Sequence, residues 1–397
     1  MSAIPYFKTW SSQAGQAPLE VVGGDGAFVH AKNGDTWLDL GSLSYQANLG
    51  HGHIEMIEAV KTQAETLCLS APNVTFPAKE EAAKRLLSLA PDGFDRVFFT
   101  LSGAEAVENA MKISRLFTGR HKFLSRYKSY HGASFGALSL TGDFRRPPLE
   151  PGLSGMAKVL RDSDIPATLD AEKNVAAVFL ESIQGANGVH LSTKACWADI
   201  QAACKKHDTL LCVDEVLAGF GRTGKVFGFE HYDVKPDLIC VAKALTGGYV
   251  PMGAVLVHER VSKRFDNEVL WAGLTHYSHP LGCAAAAKAM QIYEREGLYD
   301  KGSEMESSLL GCLQSLESTL PKHVSGARGL GALAAVDVTL SDSQWTSLHK
   351  GLNQERLLVH AYPRRGTLVL SPPLNIKDES LKDGLERFAK ALTSVVL

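Results

Sequence analysis

Five segments of the chain read as continuous apolar runs, the pattern of strands covered on both faces: Arg96–Thr100, Val175–Leu180, Leu210–Val213, Leu238–Ala242 and Ala254–Val257. Stretches of helical period lie between them, among them Glu105–Leu116 and Lys194–His207. This alternation predicts an α/β domain built on a mostly parallel sheet. The ends of the chain are patterned differently. Before about His51, short strands at Ala27–His30 and Trp37–Leu40 are separated by glycine turns. After about Ala289 come a helix, a strand near Ala332–Val338, a helix near Gln344–Arg356 and a last helix from Asp378. The expected organisation is a large domain over residues 51–288 and a smaller α+β domain assembled from residues 1–50 and 289–397.

Length and composition narrow the class. The 397 residues are enough for two to three domain-sized cores. A net charge of −2, with both signs mixed along the chain, leaves no footprint for nucleic acid or anionic lipid. No apolar run approaches the ~18 to 20 residues of a membrane span. The first residues lack the basic-then-apolar pattern of a secretory signal. The seven cysteines are odd in number and form no Cys-x-x-Cys pair, so they read as buried thiols in a reducing compartment, with no disulfide frame and no metal site. The expectation is a cytoplasmic enzyme.

The residues just past the strand ends carry the chemistry. Arg96–Thr100 runs into Ser102-Gly103-Ala104-Glu105, Val175–Leu180 into Glu181, Leu210–Val213 into Asp214, and Leu238–Ala242 into Lys243. Ligands of open α/β sheets bind outside the carboxyl ends of the strands, so these groups converge on one crevice. Together they suit a phosphorylated ligand with a cationic ring. The small residues at 102–104 let backbone N–H groups approach a phosphate at a helix N-terminus; Ser102 with Glu105 is equally the pattern of a helix cap. Asp214 reads either as the cap of the next turn or as the partner of a protonated ring nitrogen. Lys243 has apolar or tiny neighbours on both sides, where burial lowers its pKa and frees the amine as nucleophile and base.

The run from Leu211 to Gly224 (Leu-Cys-Val-Asp-Glu-Val-Leu-Ala-Gly-Phe-Gly-Arg-Thr-Gly), then Pro236-Asp237, then Lys243-Ala-Leu-Thr-Gly-Gly248, resembles the signature of the class III aminotransferases. These are pyridoxal 5′-phosphate enzymes of fold type I, and the resemblance extends from about Trp37 to Leu374. It implies that Lys243 carries the cofactor covalently and that Asp214 keeps the pyridine nitrogen protonated. It further implies that Val216 and Tyr130 cover the two ring faces, with His131 beside Tyr130 in the cofactor site. Ser102, Gly103 and Ala104 resemble the phosphate turn, Glu181 the acid beside the cofactor, and Gln184 a group near its phenolic oxygen. Thr275 resembles a phosphate-binding threonine contributed by a neighbouring subunit, which implies a homodimer at least.

The chain departs from the family pattern in several places. Ala104 stands where Ser or Thr is usual, His276-Tyr277-Ser278 alters the loop after Thr275, and the stretch from Arg146 to Val175 is short. Relatives of the ornithine and 4-aminobutyrate types have a glutamate, paired to a switching arginine, where this chain has Ala186. Its loss resembles the ω-amino acid and amine:pyruvate branch. An arginine for the substrate carboxylate is then expected before Ser371-Pro372-Pro373, with Arg364 and Arg365 as candidates; a solvated basic pair is the other reading of both. Trp10 and Tyr45 read as donor-pocket aromatics or as half-buried core rings. The expected activity is transamination between a β-alanine- or taurine-like donor and pyruvate. The rivals are acceptance by 2-oxoglutarate, a decarboxylase or aminomutase of the same fold, and a non-catalytic phosphate-binding α/β protein. The last leaves a buried Lys243 without a purpose.

Overall fold

The computed structural model describes residues 5–14 and 17–396. Seven strands form the central sheet in the order Phe94–Thr100, Gly253–His258, Leu238–Val241, Leu210–Asp214, Val175–Glu181, Lys122–Arg126, Met156–Val159. Gly253–His258 runs antiparallel to both its neighbours, and every other pairing is parallel. The five expected strands are all present. Val175–Glu181 and Leu210–Asp214 are buried at every position, as their unbroken apolar sequence requires. The two strands that complete the far edge, Lys122–Arg126 and Met156–Val159, carry lysines or arginines and gave no such signal.

The helix Gly103–Thr118 covers one face of this sheet. Ser102 caps its start, and Gly119 ends it in the left-handed conformation at φ +66. Its inner stripe of Ala106, Val107, Ala110, Met111 and Ile113 is buried against the sheet. Burial contributes roughly 1.5–3 kcal/mol for each of the larger side chains.

The two ends of the chain meet in smaller sheets. Val21–Asp25, Phe28–Ala31 and Thr36–Asp39 form an antiparallel meander, and Leu357–Leu358 joins it in parallel register beside Leu38 and Asp39. A third, antiparallel sheet runs Val324–Leu330, Leu333–Val338, Thr367–Leu370, His360–Tyr362. Helices Leu298–Thr319, Asp342–Gln354 and Asp378–Val396 pack together beside these sheets. Residue 289 lies inside the helix Pro280–Arg295, whereas the chain turns at Gly297, with φ +64. We therefore propose 296–297 as the second domain boundary.

Arg222, in the glycine-rich signature loop, fastens the assembly. It is fully buried and donates to Asn48 Oδ1 (2.5 Å), Ser42 Oγ (3.1 Å), and the carbonyls of Pro372 (2.5 Å) and Ala332 (3.2 Å). Burial pulls its pKa down to about 10, which leaves it charged at neutral pH. A fixed guanidinium with acceptors from both ends of the chain holds the smaller sheets against the loop. Gly221 precedes it at φ +85, where a Cβ would stand 2.4 Å from the Leu298 carbonyl oxygen. One expectation for the thiols is corrected. Cys204, Cys212, Cys240 and Cys283 are buried, but Cys68 is exposed, in the segment after helix Ile54–Thr66, and Cys196 and Cys312 are half-buried.

Candidate active site

Parallel register alone brings the two acids together. Glu181 pairs with Asp214 across neighbouring strands, and Asp214 pairs with Cys240, three residues before Lys243. Lys243 sits at φ +50, uncommon for a side-chain-bearing residue, and opens a short turn closed by Gly248 N–H donating to its carbonyl at 3.1 Å. The conformation re-aims the lysine from the strand into a cavity of about 410 Å³. That volume is in the range of small-molecule sites. Among the residues that line it are Ser102, Gly103 and Ala104, then Tyr130, His131 and Glu181, and Asp214, Val216 and Lys243.

At the helix N-terminus the capping reading of Ser102 holds. Its hydroxyl accepts from Glu105 N–H at 3.2 Å, while Glu105 accepts from Leu101 N–H at 2.8 Å. The cap leaves the N–H groups of Gly103 and Ala104 without intrahelical acceptors, at the cavity wall. Gly103 is required there, because a Cβ would lie 2.8 Å from Val216 Cγ1.

Asp214 is 5% exposed; one of its oxygens meets His131 Nδ1 at 2.8 Å and the other accepts from Val216 N–H at 3.1 Å. The Nε2 atom of His131 is buried with no partner among the described residues. Glu181 accepts from Tyr130 N–H at 3.0 Å. Burial and the neighbouring Asp214 push its carboxyl up to about 7, against His131, Arg126 and the Tyr130 N–H. Burial likewise lowers the pKa of Lys243, opposed by Asp214 and Glu181. Glu215, next to Asp214, faces away and accepts from the N–H groups of Gly228 (2.8 Å) and Phe229 (2.9 Å); its role is structural.

The shift of Glu181 has a consequence for stability. Between about pH 4.5 and 7 the folded chain holds a proton that the unfolded chain has released, so the group favours folding most at low pH and the advantage is lost as pH rises. Glu181→Gln should therefore shrink the fall in urea midpoint between pH 5 and pH 8. A smaller slope should persist, because burial pushes Glu215 up to about 8.

The remaining sequence candidates lie around this cavity. Tyr45 is buried, with its ring 5.6 Å from Lys243 Nζ and its hydroxyl 2.8 Å from that of Tyr362. Trp10 is 56% exposed and stands outside, 5.4 Å from the Arg145 guanidinium. Gln184 turns away, its amide donating to the Tyr127 carbonyl at 3.3 Å, and it lines a separate surface hollow. Thr275 is exposed and is not part of this chain's own cavity lining. Arg364 and Arg365 line a second cavity of about 520 Å³. Arg365 alone reaches back, donating to the carbonyl of Ala186, a lining residue of the first cavity. Sequence reasoning did not single out Asp143 or Arg145. Both lie in an irregular loop after the helix Phe135–Leu140, where no periodic pattern marks them.

A mostly parallel sheet that delivers a buried amine, two carboxylates and a helix N-terminus to one cavity defines a cofactor-dependent transferase site. The chain matches the family described as aminotransferase class-III over residues 9–392. It is 35% identical over 380 residues to an acetylornithine aminotransferase of Methanopyrus kandleri, with 94% of each chain covered. The structure of a taurine:2-oxoglutarate aminotransferase from Bifidobacterium kashiwanohense, in complex with PLP and glutamate, superposes with a TM-score of 0.92 at 34% identity, over 98% of this chain and 95% of that one. An (S)-enantioselective omega-transaminase from Thermomicrobium roseum gives 0.91 at 31% identity, over 96% and 94%. The chain belongs to the class III aminotransferases. It has the fold of the type I pyridoxal-phosphate enzymes and uses that cofactor. No helix among the described residues is long and apolar enough to cross a membrane.

Proposed function

We propose that the enzyme moves an amino group from an ω-amino acid or primary amine of the β-alanine or taurine type to pyruvate or a similar 2-oxo acid, with Lys243 as the cofactor lysine. The observation that carries this reading is the buried Lys243 amine, held in a 410 Å³ cavity with Asp214, Glu181 and the helix N-terminus. The residues fit pyridoxal phosphate. Gly103 and Ala104 present helix N-terminal N–H groups without intrahelical acceptors at the cavity wall, and the buried His131 Nε2 has no partner among the described residues. In this assignment Ser102, Gly103 and Ala104 hold the phosphate, Tyr130 and Val216 cover the ring, and Asp214, fixed by His131, holds a proton on the ring nitrogen. Thr275, exposed on its own chain, would complete the phosphate site of a partner copy, so the proposed active unit is a homodimer. The proposal includes a cytoplasmic setting, supported by the seven unpaired thiols.

Bound pyridoxal phosphate supplies an electron-withdrawing ring that stabilises negative charge on the substrate carbon after its proton leaves. Lys243 Nζ, whose pKa burial lowers, would be the group that takes that proton and later returns it. In this assignment Asp214, held by His131 and the Val216 N–H, would stay beside the ring nitrogen.

Two observations bear on the substrates. The relatives include an acetylornithine aminotransferase and a taurine:2-oxoglutarate aminotransferase, and the second of these supports 2-oxoglutarate as the alternative acceptor to pyruvate. Arg365 pairs here with Asp143 and with the backbone at Ala186, not with a glutamate at 186, which supports the ω-amino acid branch. Mixing the yellow holoenzyme with β-alanine or taurine should bleach it, and pyruvate should restore the colour in a ping-pong cycle. Release of carbon dioxide, or product formation without any 2-oxo acid, would overturn the assignment in favour of a decarboxylase or an aminomutase.

A further inference from the structure

The turn that carries Tyr130 is tied to Glu181 at two points. Arg126 ends the strand Lys122–Arg126, and its Nη2 donates to the Glu181 carbonyl. Further along the turn, the Tyr130 N–H donates to the Glu181 carboxylate at 3.0 Å. Between them the Ser129 hydroxyl donates to the Arg126 carbonyl at 2.6 Å, which closes a ring of contacts. Lys128, inside this turn, is left-handed at φ +57 with no glycine to ease it, so the turn depends on such ties for its shape.

The guanidinium is itself anchored. Its Nη1 donates to both oxygens of Asp162, at 2.7 and 2.6 Å, and the Arg126 side chain is 4% exposed. Asp162 opens the short turn after the edge strand Met156–Val159. One planar fork therefore joins the carboxyl ends of three neighbouring strands, Met156–Val159, Lys122–Arg126 and Val175–Glu181. Tyr130 and Glu181 line the cavity of Lys243, whereas Arg126 lines a separate hollow. The groups whose charge reaches the Glu181 carboxyl are Arg126 and His131 from the strand end and turn beside it, Asp214 from the next strand, and Lys243 from the turn beyond. Arg126 bonds only to the main chain of Glu181, so it acts on the carboxyl by charge and on the turn by shape.

We propose that Arg126, anchored by Asp162, is a positioning residue of this site: it fixes the Glu181 backbone and the Tyr130 turn, and its charge offsets that of Asp214 beside the Glu181 carboxyl. It acts from behind the cavity wall and through Glu181. The proposal rests on the transaminase reading above only for its effect on turnover.

The Glu181 proton can be read without turnover. In infrared spectra of the cofactor-free full chain titrated with acid, the band of a buried protonated carboxyl is assigned to Glu181 by its loss in Glu181→Gln. The band of Glu215, a carboxyl that burial pushes up to about 8, remains in that variant. The Glu181 midpoint is expected at about pH 7. Arg126→Gln should raise it by about half a pH unit or more, since a neighbouring positive charge is lost. Asp162→Asn should lower it, since the guanidinium is no longer neutralised. Damage confined to packing would not give opposite signs. Should Arg126→Gln not fold, the double variant Arg126→Gln with Asp162→Asn leaves neither partner of the ion pair buried alone and should still raise the midpoint. In steady state, Arg126→Gln should lower kcat about tenfold or more with little change in KM. Arg126→Lys, which keeps the charge without the fork, should hold the wild-type midpoint yet still lose rate. An unmoved midpoint or an unchanged kcat in Arg126→Gln, or shifts of one sign in both single variants, would overturn the proposal. Midpoints that move as stated in a chain that never transaminates would instead defeat the functional reading alone.

Discussion

Lys243→Ala is expected to lower turnover by about 10⁴-fold, the combined cost of losing a covalent anchor and a positioned base. The fold should not suffer. The Nζ atom makes no hydrogen bond or ion pair among the described residues, and burial disfavours its charged form. Thermal stability should therefore stay level or rise, which separates a chemical loss from a folding loss. Ethylamine added to the variant should recover part of the rate, because it can enter the emptied space and accept the proton. Single-turnover absorbance with β-alanine would measure both effects.

Asp214→Asn is expected to cost roughly 10²–10³-fold in kcat, the scale of removing one preorganised electrostatic contact from a transition state. The amide is isosteric and can still meet His131 Nδ1, now at 2.8 Å from the carboxylate, and the Val216 N–H. Only the negative charge is lost. Cofactor binding should persist through the helix N-terminus at Gly103, so the variant should be coloured but slow. Its rate loss should appear in the proton-transfer step, checked with a substrate deuterated at the amine-bearing carbon.

The parts of this site that lie on buried parallel strands were legible in the sequence. An unbroken apolar run ending in an acid or a lysine has few structural alternatives, so Glu181, Asp214 and Lys243 could be aligned before any coordinates. The far side of the sheet was not legible: Met156–Val159 is the edge strand, and in Lys122–Arg126 beside it the lysine and arginine at the two ends pair with Glu172 and Asp162, so the apolar signal fades. Loop residues were harder still. Arg364 and Arg365 are adjacent, and only the short turn Pro363–Arg365 decides which one turns toward Ala186. Asp143 and Arg145 carry no periodicity, and their significance comes from a partner more than two hundred residues away. Gln184 shows the reverse problem, a motif position whose side chain folds back onto the Tyr127 carbonyl.

The central claim is that one amine, Lys243, is the covalent seat of the cofactor. Treating the holoenzyme with borohydride would make that linkage permanent, and peptide mapping by mass spectrometry would locate it. A single pyridoxyl-modified peptide is expected, with the label on the residue between Ala242 and Ala244. A label on any other lysine, or no label on a coloured protein, would contradict it.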